Sequence, residues 1–63
     1  MRLVFVHGWG LAPEMWDALA PLLPLPQIRV DLGFFGDVFA PEFCAGDVLI
    51  GHSLGFLWGA QNF

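Results

Sequence analysis

The chain carries one serine, Ser53, within the pentapeptide Gly51-His52-Ser53-Leu54-Gly55. The spacing G-x-S-x-G is typical of a nucleophilic serine on a tight turn between a strand and a helix. Glycines two positions to either side relieve the crowding of such a strained turn. The serine oxygen then lies at the N-terminus of the helix, where the Leu54 N–H faces a developing oxyanion. The plainer alternative is that Ser53 caps the helix and the glycines mark an ordinary turn.

A second glycine-rich segment, His7-Gly8-Trp9-Gly10, follows an apolar run in the same way. We expect both loops at the carboxyl edge of one sheet, where open α/β folds build their sites. The glycines Gly8 and Gly10 let this backbone turn toward a substrate, so the Trp9 N–H is predicted to complete an oxyanion hole. The Trp9 indole could also line an acyl pocket, although its side chain and that of His7 are equally explained as structural residues.

A nucleophilic serine requires a general base and an acid that orients this base. His52 adjoins Ser53, but neighbouring side chains of a strand point to opposite faces. His7 would have to fold back from its loop to reach the serine oxygen. Asp31 and Asp37 pair with neither histidine in sequence and are expected to be solvated loop carboxylates. We therefore predict half an active site, and the 63-residue chain alone is expected to be truncated and nearly inactive.

Three short segments are predicted to be the strands beneath these loops. Residues 3–6 and 47–50 are mainly apolar, and residues 28–32 alternate between apolar and polar side chains. Between the first two strands, a proline at a helix start and apolar residues at helical spacing predict one full helix. These residues are Pro13, Met15, Leu19, Leu22 and Leu23. Residues 56–63 are predicted to begin a second helix, which Gly59 is expected to weaken.

The order of these elements predicts an α/β fold with a parallel sheet of three strands. One complete helix cannot cover both faces of such a sheet. Residues 1–63 are therefore expected to form a partial domain that lacks its C-terminal half. Its uncovered sheet edges could associate with another chain.

The composition is that of a protein interior, and it excludes several function classes. The chain is 57% hydrophobic and has a net charge of −4, with two basic and six acidic side chains. Nucleic-acid binding therefore has no basic patch to support it, and no apolar run is long enough for a membrane span. The lone Cys44 offers neither a disulfide nor a metal site, which fits a cytoplasmic protein without metal.

Taken together, the segments LVFVHGWG, VDLGFFG and DVLIGHSLG resemble the N-terminal part of an α/β-hydrolase. The HGWG variant is similar in particular to the pimeloyl-ACP methyl ester esterases of biotin synthesis and to related carboxylesterases. The resemblance covers nearly the whole chain, although the proline common in the second turn is missing. It implies that Ser53 is the nucleophile and that Trp9 and Leu54 supply the oxyanion-hole N–H groups. Phe56, at a position where glycine is frequent in the family, is expected to crowd the helix start or narrow the substrate pocket.

These inferences favour a serine ester hydrolase of the carboxylesterase type that acts through an acyl-enzyme. Its substrate is expected to be a small-molecule or acyl-carrier ester, and no cofactor is required. Two alternatives stay open. One is a non-catalytic fragment or interaction remnant of a hydrolase, and the other is a thioesterase, peptidase or acyltransferase of the same fold.

Overall fold

A three-stranded parallel sheet forms the centre of the molecule. The computed structural model describes residues 1–62, so the predicted helical position of Phe63 lies outside the described residues. Strands β1 (Arg2–Val6), β2 (Gln27–Val30) and β3 (Asp47–Gly51) lie in the order β2–β1–β3. Both neighbours of β1 run parallel to it, so all three strands end at one edge, here called the carboxyl edge. The three predicted strands and the parallel sheet are confirmed, although β2 ends at Val30 and residues 31–32 of the predicted strand lie in the loop that follows it.

The central strand β1 is apolar because it contributes to the core on both faces of the sheet. Successive side chains of a strand alternate between the two faces. Leu3 and Phe5 pack with Trp16 on one face, whereas Val4 and Val6 pack on the other. Each of these four β1 residues is at most 5% exposed, which makes β1 the fixed reference for the loops that follow each strand.

The prediction of one full helix after β1 is wrong. The chain instead forms two short 3₁₀ helices, Pro13–Trp16 and Ala20–Leu22. Pro21 explains the break, since a proline inside an α-helix removes one hydrogen bond and collides with the carbonyl four residues earlier. The Leu23 N–H donates instead to the Ala20 carbonyl at 3.2 Å, three residues back. Leu19 and Leu22, which were predicted to share the buried helix face, are exposed.

Helix α1 (Leu54–Asn62) packs on the sheet through two glycines on one of its faces, Gly55 and Gly59. A Cβ atom at Gly55 would overlap the carbonyl oxygens of Val6 and His7 at the end of β1. A Cβ at Gly59 would lie 2.6 Å from Cδ1 and 3.0 Å from Cγ of Leu49 in β3. Gly59 therefore does more than weaken the helix as expected, because it also provides space for a side chain of the sheet.

An ion pair at the opposite edge of the sheet aligns β3 with β1. Arg2 is the register partner of Asp47. Its Nε and Nη2 donate to the two carboxylate oxygens of Asp47 at 3.2 and 2.7 Å. The Cys44 N–H donates to the same carboxylate at 2.8 Å. The hydrogen bond from Arg2, followed by that from Cys44, lowers the pKa of Asp47 below its ordinary value of 3.8.

No helix within residues 1–62 has the length and apolar character that crossing a membrane requires.

The free energy of unfolding should decrease as the pH falls through and below about 4. The folded-state pKa of Asp47 is lower than its unfolded value, so its stabilising contribution is complete above the unfolded pKa. This contribution is lost as the pH falls through the folded pKa. Denaturant unfolding at a series of pH values measures the effect. Asp47→Asn should reduce this loss of unfolding free energy at acid pH, whereas Asp37→Asn, at an exposed carboxylate, should not. An unchanged loss in Asp47→Asn would contradict the assignment.

Alanine substitutions at the two glycines of α1 should change the free energy of unfolding by different amounts. Gly55→Ala should lower the free energy of unfolding by about 3 kcal/mol or more, because the new methyl group meets backbone that cannot move aside. Gly59→Ala should stay within about 1 kcal/mol of the parent, since Leu49 can rotate and alanine favours the helix by about 1 kcal/mol. Denaturant unfolding of both variants tests this, and equal losses would show that α1 does not contact β1 so closely.

Candidate active site

Ser53 occupies a tight turn at the carboxyl edge of β3. Only His52 and Ser53 separate the end of β3 from the start of α1. Ser53 has a φ of +55°, in the left-handed region that residues other than glycine rarely adopt. Among residues 1–62 it is the only residue other than glycine with a positive φ, and it is exposed. A strained, exposed serine at the end of a strand has the geometry of a nucleophile elbow.

The two glycines of the pentapeptide allow this turn for separate reasons. A Cβ at Gly51 would lie 2.6 Å from both N and Cα of Phe56, so the chain could not fold back on itself there. Gly55 allows α1 to start directly against the end of β1. Phe56 contributes its backbone to this contact, while the residue as a whole is 58% exposed. Gly51 therefore makes room for the backbone of Phe56, and the crowding or pocket narrowing expected of the Phe56 side chain stays a prediction.

The loop after β1 lies against the serine turn. A Cβ at the buried Gly8 would be 2.5 Å from Nδ1 and 3.1 Å from the carbonyl oxygen of His52. Gly10 has a φ of +68°, and the Leu11 N–H closes the loop by donating to the Gly8 carbonyl at 3.2 Å. The segment predicted to contribute to an oxyanion hole is therefore adjacent to the residue that precedes Ser53.

The backbone N–H groups of Trp9 and Leu54 are among those of the two loops that have no acceptor within residues 1–62. The Gly55 N–H donates to the His52 carbonyl at 2.9 Å, and the Phe56 N–H donates to the Ser53 carbonyl at 3.0 Å. Leu54 is the first residue of α1, and its backbone N–H has no acceptor within residues 1–62. These are the two groups that the sequence predicted for an oxyanion hole, a role that stays a prediction.

His7 is fully buried, and both of its ring nitrogens are engaged. The Leu32 N–H donates to Nε2 at 2.9 Å. Because an N–H can only donate, Nε2 carries a lone pair and the proton lies on Nδ1, which donates to the Gly8 carbonyl at 2.9 Å. His7 therefore connects the loop after β1 to the loop after β2. Its ring has no free nitrogen for Ser53, which excludes it as the base in this conformation.

Asp31 also differs from the solvated carboxylate that was expected. Its Oδ1 accepts a hydrogen bond from the Gly33 N–H at 2.9 Å and lies 3.6 Å from Nε2 of His7. Its backbone forms an antiparallel bridge with Phe39, with both hydrogen bonds at 2.9 Å. Asp31 therefore stabilises the turn after β2. Asp37, in contrast, is exposed.

Phe34 is a residue of this edge that sequence reasoning missed. Its ring lies 5.5 Å from that of Trp9 and 6.0 Å from that of His7, measured between centroids. The signal for it was its place in the loop after β2, since all loops that follow parallel strands meet at one edge. The structure thus brings Phe34 together with Trp9 and His7.

The base of a catalytic triad is absent from the described part of the chain. His52 is exposed, and its ring makes no hydrogen bond to Ser53 within residues 1–62. No group of three His, Cys, Asp or Glu side chains among these residues could hold a metal ion. The described site therefore holds an exposed serine and the unpaired N–H groups of Trp9 and Leu54, without a hydrogen-bonded base.

Substitutions of His7 should separate the contributions of its two hydrogen bonds to the free energy of unfolding. His7→Leu leaves the Leu32 N–H and the Gly8 carbonyl without partners and should lower the free energy of unfolding by at least about 2 kcal/mol. His7→Gln can retain an acceptor for Leu32, and His7→Asn a donor for Gly8, so each should lose less. Denaturant unfolding measures the stabilities, and ¹⁵N NMR of the parent should show the proton on Nδ1. A proton on Nε2, or a Leu variant as stable as the parent, would contradict this network.

Comparison with known proteins adds one similarity. The chain is 36% identical over 70 aligned positions to the pimeloyl-(acyl-carrier protein) methyl ester esterase of Aromatoleum aromaticum. The match covers 87% of the chain but 28% of that esterase, so the chain spans little more than a quarter of the relative's length. No protein-family model matches the chain, and no solved structure matches it. The chain is thus a three-stranded parallel α/β unit with a partial similarity to an esterase.

Proposed function

We propose that residues 1–63 form the N-terminal part of an α/β-hydrolase domain, and that the protein is a serine ester hydrolase with Ser53 as its nucleophile. The observation that carries this proposal is the left-handed φ of Ser53 between a strand and a helix, beside two available N–H groups. A serine that only capped a helix would have extended backbone angles. The strained turn therefore favours the nucleophile over the cap.

The proposed reaction begins when Oγ of Ser53 attacks the carbonyl carbon of an ester. The carbonyl oxygen becomes an oxyanion, which accepts hydrogen bonds from the Trp9 and Leu54 N–H groups. In related systems, loss of one such donor lowers kcat by about 100-fold to 1,000-fold. The serine proton passes to a base and then to the departing alcohol, and an acyl-enzyme remains. Water hydrolyses this acyl-enzyme to the acid and restores Ser53.

The base for these proton transfers is proposed to come from outside residues 1–62, because His7 is engaged and the His52 ring makes no hydrogen bond to Ser53 there. The chain covers 28% of the esterase that it resembles. We therefore propose that the base and its acid are supplied by protein that this chain does not include. By itself the chain should bind an ester carbonyl but react with it slowly.

The name of the relative describes the methyl ester of a pimeloyl group that is carried by an acyl-carrier protein. On this ground we propose a small-molecule or acyl-carrier ester as the substrate class. The reaction requires no metal or organic cofactor. A cytoplasmic location and association through the edges of β2 and β3 stay predictions from the sequence.

The test uses a fluorophosphonate, which phosphonylates activated serines, with free imidazole added as a substitute base. Ser53 is the only side-chain hydroxyl of the chain, which has no threonine or tyrosine, so an adduct on a hydroxyl identifies it. We expect the rate of adduct formation, measured by intact mass, to be low alone and to rise with imidazole concentration.

Two variants control this measurement. Ser53→Ala should abolish the adduct, and Cys44→Ala, at the exposed cysteine, should retain it. Labelling that persists in Ser53→Ala, or a Ser53 that does not respond to imidazole at any pH at which imidazole is a free base, would overturn the proposed nucleophile.

A further inference from the structure

Two aromatic side chains, Trp9 and Phe34, form an exposed apolar surface at the carboxyl edge, here called the aromatic wall. Trp9 is 73% exposed and Phe34 is 38% exposed. Their rings meet at a tilt of 57° with centroids 5.5 Å apart, within the range of a favourable aromatic pair. They come from loops after different strands, so the tertiary structure creates this surface.

The buried residue His7 holds Phe34 of the aromatic wall in place. The other side of Phe34 packs edge-on against the ring of His7, at 6.0 Å and 65°. His7 is fully buried, and hydrogen bonds on both nitrogens fix its ring. Phe35, the next residue, makes no ring contact within residues 1–62 and is 77% exposed. Of these two neighbouring phenylalanines, Phe34 is the one that the fold holds in place.

The position of the wall relative to Ser53 follows from the order of the strands. Ser53 follows β3, Trp9 follows the central β1, and Phe34 belongs to the loop after β2. The loop that carries Trp9 lies against the serine turn, because Gly8 meets His52, and the ring of Phe34 packs on that of Trp9. Trp9 itself carries one of the two available N–H groups, so a carbonyl held there lies beside the start of the wall.

The chemistry of the wall favours an apolar ligand. Its two members carry no charge, and the nearby Asp31 carboxylate accepts from the Gly33 N–H. We propose that Trp9 and Phe34 form an acyl-chain subsite, with Phe34 selecting esters of longer apolar acyl chains over acetyl esters. This rests on the proposed function, since that function places the ester carbonyl at Ser53. It assigns a specificity role to Phe34, a residue outside the serine turn and the glycine loop.

The experiment measures binding rather than turnover, in the full chain carrying Ser53→Ala. The probes are methyl esters of unbranched saturated acids from acetate to octanoate, with terminal bromine so that they quench tryptophan fluorescence. Affinity should rise about threefold to fourfold for each added methylene group, the effect of burying one such group, until the chain passes the wall. Trp9→Phe should remove the quenching signal and so identify Trp9 as its source.

Variants of the loop after β2 assign the effect to Phe34. Phe34→Ala should abolish the dependence on chain length and weaken octanoate binding about tenfold, leaving the acetate ester unchanged. Phe34→Leu, which stays apolar, should restore part of the dependence. Phe35→Ala is the matched control and should leave the dependence intact.

The outcomes distinguish the subsite from the proposed reaction. An affinity that does not depend on the length of the acyl chain would overturn the proposed subsite, as would a dependence that persists in Phe34→Ala. Either result would fit an aromatic wall that other protein covers. Equal effects of Phe34→Ala and Phe35→Ala also overturn the subsite. Chain-length dependence that needs Phe34 supports the subsite even where the imidazole experiment fails, because Ser53→Ala cannot react; that combination would overturn the nucleophile alone.

Discussion

The close approach of α1 to β1 at Gly55 is the constraint on which the serine turn depends. A hydrogen atom is all that Gly55 can place against the carbonyl oxygens of Val6 and His7. Because α1 begins there, the chain must leave β3 and enter the helix through only two residues. Ser53 takes up that change of direction with its left-handed backbone, and Gly51 allows Phe56 to fold back over the strand. The strain at Ser53 is offset by the packing of α1 on the sheet.

The three loops of the carboxyl edge form one connected unit. His52 lies against Gly8, which joins the serine turn to the loop after β1. His7 then joins that loop to the loop after β2, through its bonds to Gly8 and Leu32. Asp31 completes the connection by holding the turn that precedes Phe34. The position of Trp9, between Ser53 and Phe34, thus depends on a buried histidine that takes no part in the proposed proton transfers.

Some side chains within residues 1–62 lack the hydrogen-bond partner or the burial that a folded protein usually provides. Trp16 is only 7% exposed, yet no acceptor in this part of the chain binds its Nε1–H. An unpaired buried donor usually costs about 1–3 kcal/mol. Phe35 and Leu22 are more than 70% exposed. These features agree with a chain that spans a quarter of the length of the esterase it resembles, since additional protein could pair the indole and cover such side chains.

The sequence by itself determined the strands, the parallel sheet and the turn around Ser53, because these depend on local patterns: apolar runs, and glycines at set distances from a serine. The helix predicted after Pro13 from the spacing of the leucines is wrong, because the proline at position 21 prevents it. Only the tertiary structure decided which face of α1 meets β1, that both nitrogens of His7 are engaged, and that Phe34 lies beside Trp9. Each of these depends on residues that are brought together across strands, and no local pattern records the distance between them.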